Sequence, residues 1–84
     1  MDIVTIEKWF ERYPKLEHFI AAGTISLKMA REILEVDRYF MYDMFLELVT
    51  AGAVTSSGSN SFRATQELRD YLNERRGNDN EHSS

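Results

Sequence analysis

The chain has 84 residues, of which 43% are hydrophobic and 29% are charged. This length is enough for one small core but too short for a catalytic cleft between domains, and the lack of cysteine excludes disulfides and thiolate metal sites. The formal net charge is −4, or −2 without Asp79 and Glu81 near the C-terminus. A nucleic-acid partner is therefore excluded unless the few basic residues share one surface.

Several classes of function lack the residues they need. No nucleophile lies beside a base and no glycine-rich phosphate loop is present, so we expect no enzyme, no cofactor and no small-molecule substrate. His18 and His82 are the only histidines and are far apart in sequence, so we expect no metal. No stretch approaches the roughly 20 apolar residues that span a bilayer, and the acidic start lacks signal-peptide features. We therefore expect a cytoplasmic protein without a membrane partner.

Two short helices are predicted at the start of the chain. Asp2 or Thr5 can cap a helix over Ile3 to Arg12. Pro14 fits the first turn of a second helix, because it lacks an amide hydrogen that this position leaves unused, and that helix should end at Ala22-Gly23. Three aromatic residues are expected to hold the first helix against the core: Trp9, Phe10 and Tyr13.

Two further helices follow in close succession. Thr24-Ile25 is too short to be more than a strand stub, after which Ser26 can cap a helix that continues through Glu35. Asp37 can cap the next helix, about Arg38 to Ala51, which leaves a connection of one or two residues. So short a connection predicts a helix-turn-helix. The apolar residues expected to face the core from the first of these helices are Leu27, Ala30, Ile33 and Leu34, and the expected methionine fillers are Met29, Met41 and Met44.

The pattern changes after Gly52. Ala53 to Thr55 and Ser61 to Ala64 predict the two strands of a β-hairpin, joined by a polar, glycine-containing turn. Thr65 then caps a last helix over Gln66 to Arg76. The remaining residues 77–84 are polar and acidic, which predicts a disordered tail.

Helices in this order, followed by a hairpin, are typical of a winged helix-turn-helix. We therefore predict a mainly α fold with a small β-hairpin, in which the winged helix runs from about Lys15 to Thr65. An extra helix precedes it and another follows it. The whole forms a single domain over residues 1–76.

One block of the sequence resembles a known family. The block Leu34 to Val54, with its ending Ala51-Gly52-Ala53-Val54, is similar to the gamma-type winged helix of the FtsK-like septal DNA translocases, and the similarity extends from Ile25 through Arg63. The resemblance implies a winged helix that binds DNA. The DNA-reading helix of that family is rich in Arg and Asn near its start. The corresponding positions here are Tyr39, Phe40 and Asp43.

The fourth helix can be divided into a buried and an outward face. The stripe expected in the core comprises Met41, Met44, Phe45 and Leu48. The residues expected to point outward are Tyr39, Asp43, Leu46 and Thr50, with Tyr42 on the flank. Aromatic and aliphatic side chains on that face suit a protein interface, whereas the two tyrosines can also stack on bases or reach phosphates.

Two hypotheses of function remain open. The first is a homodimer that binds double-stranded DNA as a transcriptional regulator or organiser of a DNA locus, with the candidate contacts Lys28, Arg31, Arg38, Tyr39, Tyr42 and Arg63. The second is a protein-binding adaptor or inhibitor, of a phage or mobile-element type, with the candidate contacts Tyr39, Tyr42 and Leu46. The basic residues also have an ordinary interpretation as solvated charges. Arg31 can pair with Glu35, and carboxylates lie beside the arginines of the last helix, Arg69, Arg75 and Arg76.

Overall fold

The computed structural model describes residues 1–83, and side chains through Arg75. Within these residues the chain forms five helices and a three-stranded antiparallel sheet. The fold is thus mainly helical with a small β component, as predicted, although the sheet has one strand more than a hairpin. The elements in chain order are α1 (Ile3–Arg12), α2 (Pro14–Ile20), β1 (Ile25–Ser26), α3 (Leu27–Leu34), α4 (Arg38–Thr50), β2 (Val54–Ser56), β3 (Ser61–Ala64) and α5 (Gln66–Ser83).

The helix starts follow the predicted caps. The Ser26 hydroxyl accepts a hydrogen bond from the backbone amide of Met29 at 3.0 Å, and the Asp37 carboxylate accepts one from the amide of Phe40 at 2.8 Å. Asp2 caps α1 in the same way. These bonds satisfy amides that have no partner inside their own helix, which is why each helix begins at its predicted residue.

The predicted end of the last helix differs from the structure. Helix α5 is assigned from Gln66 through Ser83, beyond the expected end at Arg76. The side chains of residues 76–83 and all of Ser84 lie outside the described part of the chain, so the disorder predicted for residues 77–84 stays a prediction.

The sheet joins the middle of the chain to the hairpin. The hairpin expected after Gly52 is present, and β2 pairs with β3 through Val54 opposite Ala64. The expected strand stub is a true edge strand, because Ile25 of β1 pairs with Phe62 of β3. The strand order is therefore β1-β3-β2. This pairing connects the segment before α3 to the second strand of the hairpin.

A single hydrophobic core lies between the helices and the sheet. Trp9 and Phe10 are buried, and Tyr13 is half-buried against them, which confirms the predicted role of the three aromatics. Met29 was predicted to fill the core and instead is 55% exposed, because α3 buries the opposite face. The largest fully buried side chains are Phe62, Ile6, Leu16, Ile20, Met41, Met44, Leu48 and Leu68.

The connection between α3 and α4 is longer than predicted. Helix α3 ends at Leu34, and Glu35 adopts a left-handed conformation with φ 57°. This conformation lets the amide of Val36 donate to the carbonyl of Arg31 at 3.2 Å, so the chain turns and the helix closes. Three residues rather than one or two therefore separate the helices.

A polar cluster fixes α5 to the first two helices. The Arg75 guanidinium lies 2.8 Å from the Glu7 carboxylate and 3.2 Å from that of Glu17. The Tyr71 hydroxyl donates a hydrogen bond to the same Glu7 carboxylate. Arg75 was expected to be a solvated charge beside Glu74, and this expectation was wrong because the folded chain brings two carboxylates from distant helices to it.

The Tyr71 hydroxyl gives this cluster a testable pH dependence. Its hydrogen bond to Glu7, with burial as a further cause, raises the pKa of Tyr71 above its ordinary value of 10.0. Because the folded pKa lies above the unfolded one, the contribution of the bond is full below about pH 10 and is lost as pH rises through the folded pKa.

We expect Tyr71→Phe to lower the free energy of unfolding by about 1 kcal/mol at neutral pH, because a partly solvent-screened hydrogen bond to a charged group is lost. The variant should also lose stability less steeply than wild type above pH 10. Urea unfolding at several pH values measures both effects. Tyr42→Phe, at an exposed tyrosine on α4, is the matched control. If the free energy of unfolding falls equally steeply above pH 10 in wild type and in Tyr71→Phe, the proposed role of the Tyr71–Glu7 hydrogen bond is contradicted.

Candidate functional site

Helix α4 buries one face and presents the other. Met41, Met44 and Leu48 are at most 1% exposed, as predicted. Phe45 was expected to complete this stripe, but it is only half-buried, with its ring centroid 5.6 Å from that of Phe62. Since the helical period separates the two faces, the buried residues determine which side chains remain available for binding.

The outward face of α4 carries an apolar stripe. Tyr39 is 70% exposed and Leu46 is 44% exposed, and the other residues predicted to point outward are exposed too. Sequence reasoning missed Val49, which is 39% exposed and follows Leu46 by three residues. The three-residue spacing between Leu46 and Val49 was the signal in the sequence that could have placed Val49 on this face. We call the following four residues the α4 stripe: Tyr39, Tyr42, Leu46 and Val49.

A groove opens between α3 and the start of α4, and it contains most of the basic candidates. Its volume is about 650 Å³. The loop of the hairpin borders the groove at Asn60, whose carbonyl accepts a hydrogen bond from the amide of Leu27 at 2.8 Å. Asn60 was not predicted to belong to the site, since its position depends on this contact between distant segments. The polar and aromatic residues lining this α3–α4 groove are Lys28, Arg31, Arg38, Tyr39, Tyr42, Asp43 and Asn60.

The groove carries an excess of positive charge. Lys28, Arg31 and Arg38 make no ion pair with any carboxylate in the described part of the chain. Asp43 is the one carboxylate among the lining residues. The acidic protein therefore has a local surface where three cations face one anion, which is the concentration of basic residues that its composition requires for an anionic partner.

Arg38 is positioned by its neighbour Tyr39. The Arg38 guanidinium lies 4.9 Å from the ring centroid of Tyr39 and donates to its hydroxyl at 2.9 Å. A cation over a ring face is attracted by the ring electrons, so Tyr39 helps to place the charge at the start of α4.

Arg31 was expected to pair with Glu35, but no such ion pair forms among the described side chains. The left-handed backbone of Glu35 takes it out of the helical register that brings residues four apart together.

Arg63 lies apart from the groove. It is exposed on β3 directly opposite Thr55 of β2, and it lines a second, smaller pocket with Gln66 and Arg69. Five of the six predicted DNA-contacting residues thus come together in the groove, and the sixth belongs to another surface. Sequence reasoning treated Arg69 as solvated. The structure instead encloses Arg69 in part, and nothing in the residues beside it indicated this.

The described residues were also compared with what a metal site and a membrane-spanning helix require. No group of three or more potential metal-ligating side chains occurs among them. His18 is exposed on α2, and His82 lies outside the described side chains. No helix in the described range has the length and apolar character needed to cross a bilayer.

Comparison of the chain with protein-family models, with curated proteins and with solved structures finds no match.

Proposed function

We propose that the chain is a winged-helix protein that binds double-stranded DNA through the α3–α4 groove. The order α2-β1-α3-α4-β2-β3 and the strand order β1-β3-β2 support a winged helix, with α1 and α5 as additions at either end. In this arrangement α4 is the helix that approaches the major groove. The resemblance to the translocase winged helix would then lie in the backbone rather than in the base-reading side chains.

The observation that carries this proposal is the convergence in one groove of two exposed tyrosines and three cations that pair with no carboxylate among the described side chains. Lys28 and Arg31 lie on α3, and Arg38 lies on α4, so a duplex seated against both helices meets positive charge from two sides. Tyr39 and Tyr42 provide hydroxyl donors for phosphates and aromatic faces for sugars. The role of the protein is binding, without catalysis.

The same groove favours contact with the DNA backbone over reading of bases. Asp43 also lines the groove. Its carboxylate repels phosphates, so it disfavours deep insertion of α4 between the phosphate backbones of the duplex. Three phosphate contacts give a weak monomeric affinity, so we propose a homodimer, in which the second half-site contact is strengthened by effective concentration. A cytoplasmic regulator of transcription or organiser of a DNA locus fits this chemistry.

The dependence of binding on salt tests the groove directly. With three phosphate contacts per protomer, the slope of log affinity against log salt for a single bound protomer should be about −2.7, and its affinity should fall about 40-fold between 50 and 200 mM salt. Two protomers bound together as a dimer should double this slope. Lys28→Gln and Arg31→Gln should each weaken binding on every duplex sequence and reduce the slope by about 1. Fluorescence anisotropy with a labelled duplex measures both quantities.

The matched control is Lys15→Gln, which removes the same charge from an exposed position on α2. It should leave the slope unchanged. Absence of any DNA affinity at low salt would overturn the proposal, and so would equal losses in the groove variants and the control.

A second candidate function is supported by the α4 stripe. Its four residues are spaced by three, four and three positions, which aligns them along one side of the helix. Exposed aromatic and aliphatic side chains in such an array are typical of helix-mediated protein interfaces. On this alternative the chain is an adaptor or inhibitor, of a phage or mobile-element type, that binds a protein partner through Tyr39, Tyr42 and Leu46.

The two functions can be separated at Leu46, which does not line the groove. If the stripe binds a protein, Leu46→Ala should weaken that complex by about 2 kcal/mol, or roughly 30-fold, because central apolar contacts dominate interface energies. DNA affinity should not change. Val4→Ala, at a residue of α1 that is 81% exposed, is the control. Affinity capture followed by titration measures the effect, and a complex that withstands the combined Tyr39→Ala and Leu46→Ala changes would exclude the alternative.

A further inference from the structure

A second basic pocket lies on the opposite side of the hairpin from the core. Arg63 projects from the outward face of β3, opposite Thr55, since its neighbours Phe62 and Ala64 are buried. The chain then turns into α5, whose first turn brings Arg69 to the same pocket. The pocket has a volume of about 380 Å³ and shares no lining residue with the α3–α4 groove.

The charges in this pocket have no counterpart within the described chain. Neither Arg63 nor Arg69 forms an ion pair with a described carboxylate, and none of the lining residues is acidic. The nearest carboxylate in sequence, that of Asp70, instead accepts a hydrogen bond from the Gln66 amide at 2.9 Å. Two guanidinium groups therefore share one pocket without an anion between them, which is electrostatically unfavourable.

Arg69 also carries an unmet donor. Its Nε atom is shielded from solvent and makes no hydrogen bond to any acceptor among the described residues. A buried donor without a partner is destabilising, because the group has lost its water and gained nothing in return. An oxygen anion in the pocket could accept hydrogen bonds from the other nitrogens of the guanidinium groups and would offset the repulsion between them.

We propose that this Arg63–Arg69 pocket binds a phosphate group. Tetrahedral phosphate offers several oxygens to planar guanidinium donors at once, and this geometry suits two arginines better than a single carboxylate does. The Thr55 hydroxyl and the Gln66 side chain add neutral donors at the rim. The phosphate is either part of a DNA backbone or part of a small phosphorylated compound. The inference goes beyond the proposed function, since a phosphate can bind here even if the groove binds no DNA.

Thermal unfolding of the full chain in inorganic phosphate tests the pocket without DNA. A ligand that binds only the native state raises the melting temperature as its concentration increases. Compared with chloride at equal ionic strength, phosphate should raise the melting temperature of wild type more than that of Arg69→Gln or Arg63→Gln. Lys15→Gln is the control and should respond as wild type does. Because Arg63 is exposed, Arg63→Gln keeps the test valid even if the half-buried Arg69 does not tolerate substitution.

A duplex titration identifies the source of the phosphate. If the pocket holds the DNA backbone, Arg63→Gln should reduce the salt slope by about 1, in addition to the effect of Lys28→Gln. If the duplex slope is unchanged while the response to phosphate is lost, the ligand is a small phosphorylated compound. Failure of the DNA proposal appears separately, as an absence of binding in wild type. The pocket assignment is overturned if the variants match wild type both in the rise of melting temperature with phosphate and in the salt dependence of duplex affinity.

Discussion

Burial of one face of α4 determines which surfaces of the protein are available to a partner. Met41, Met44 and Leu48 are inserted into the core and fix the rotation of the helix about its axis. A different rotation would expose these apolar side chains, each of which contributes roughly 1.5–3 kcal/mol when buried. The outward position of Tyr39 and Leu46 is the direct consequence. Both proposed functions of α4 thus follow from the packing of its opposite face.

The additional N-terminal helix supports the start of α4, where the groove lies. The Arg12 guanidinium lies 5.5 Å from the ring centroid of Trp9 and 5.8 Å from those of Tyr13 and Phe40. Phe40 is also the residue whose amide bonds to the capping Asp37. One aromatic cluster therefore connects α1 to the first turn of α4. Through this cluster, α1 helps to position Arg38 and Tyr39.

Local signals predicted well what depends on neighbours in sequence. Caps such as Ser26 and Asp37, and the two faces of α4, follow from hydrogen bonds and periodicity within a few residues. Contacts between distant segments were not predictable in this way. Sequence alone could not tell that Arg63 would leave the groove for a pocket with Arg69, or that Arg75 would meet carboxylates on α1 and α2. The groove was therefore predicted in most of its residues, and the second pocket was not.

Nuclear magnetic resonance can follow the response of individual backbone amides to a short DNA duplex at low salt, and so shows which residues the duplex contacts. If the packing of α4 presents the basic groove to DNA, the largest shifts should occur at Lys28, Arg31 and residues 38–42, and they should diminish as salt is added. Shifts confined to Leu46 and Val49, or spread evenly over helices remote from the groove, would contradict the proposal.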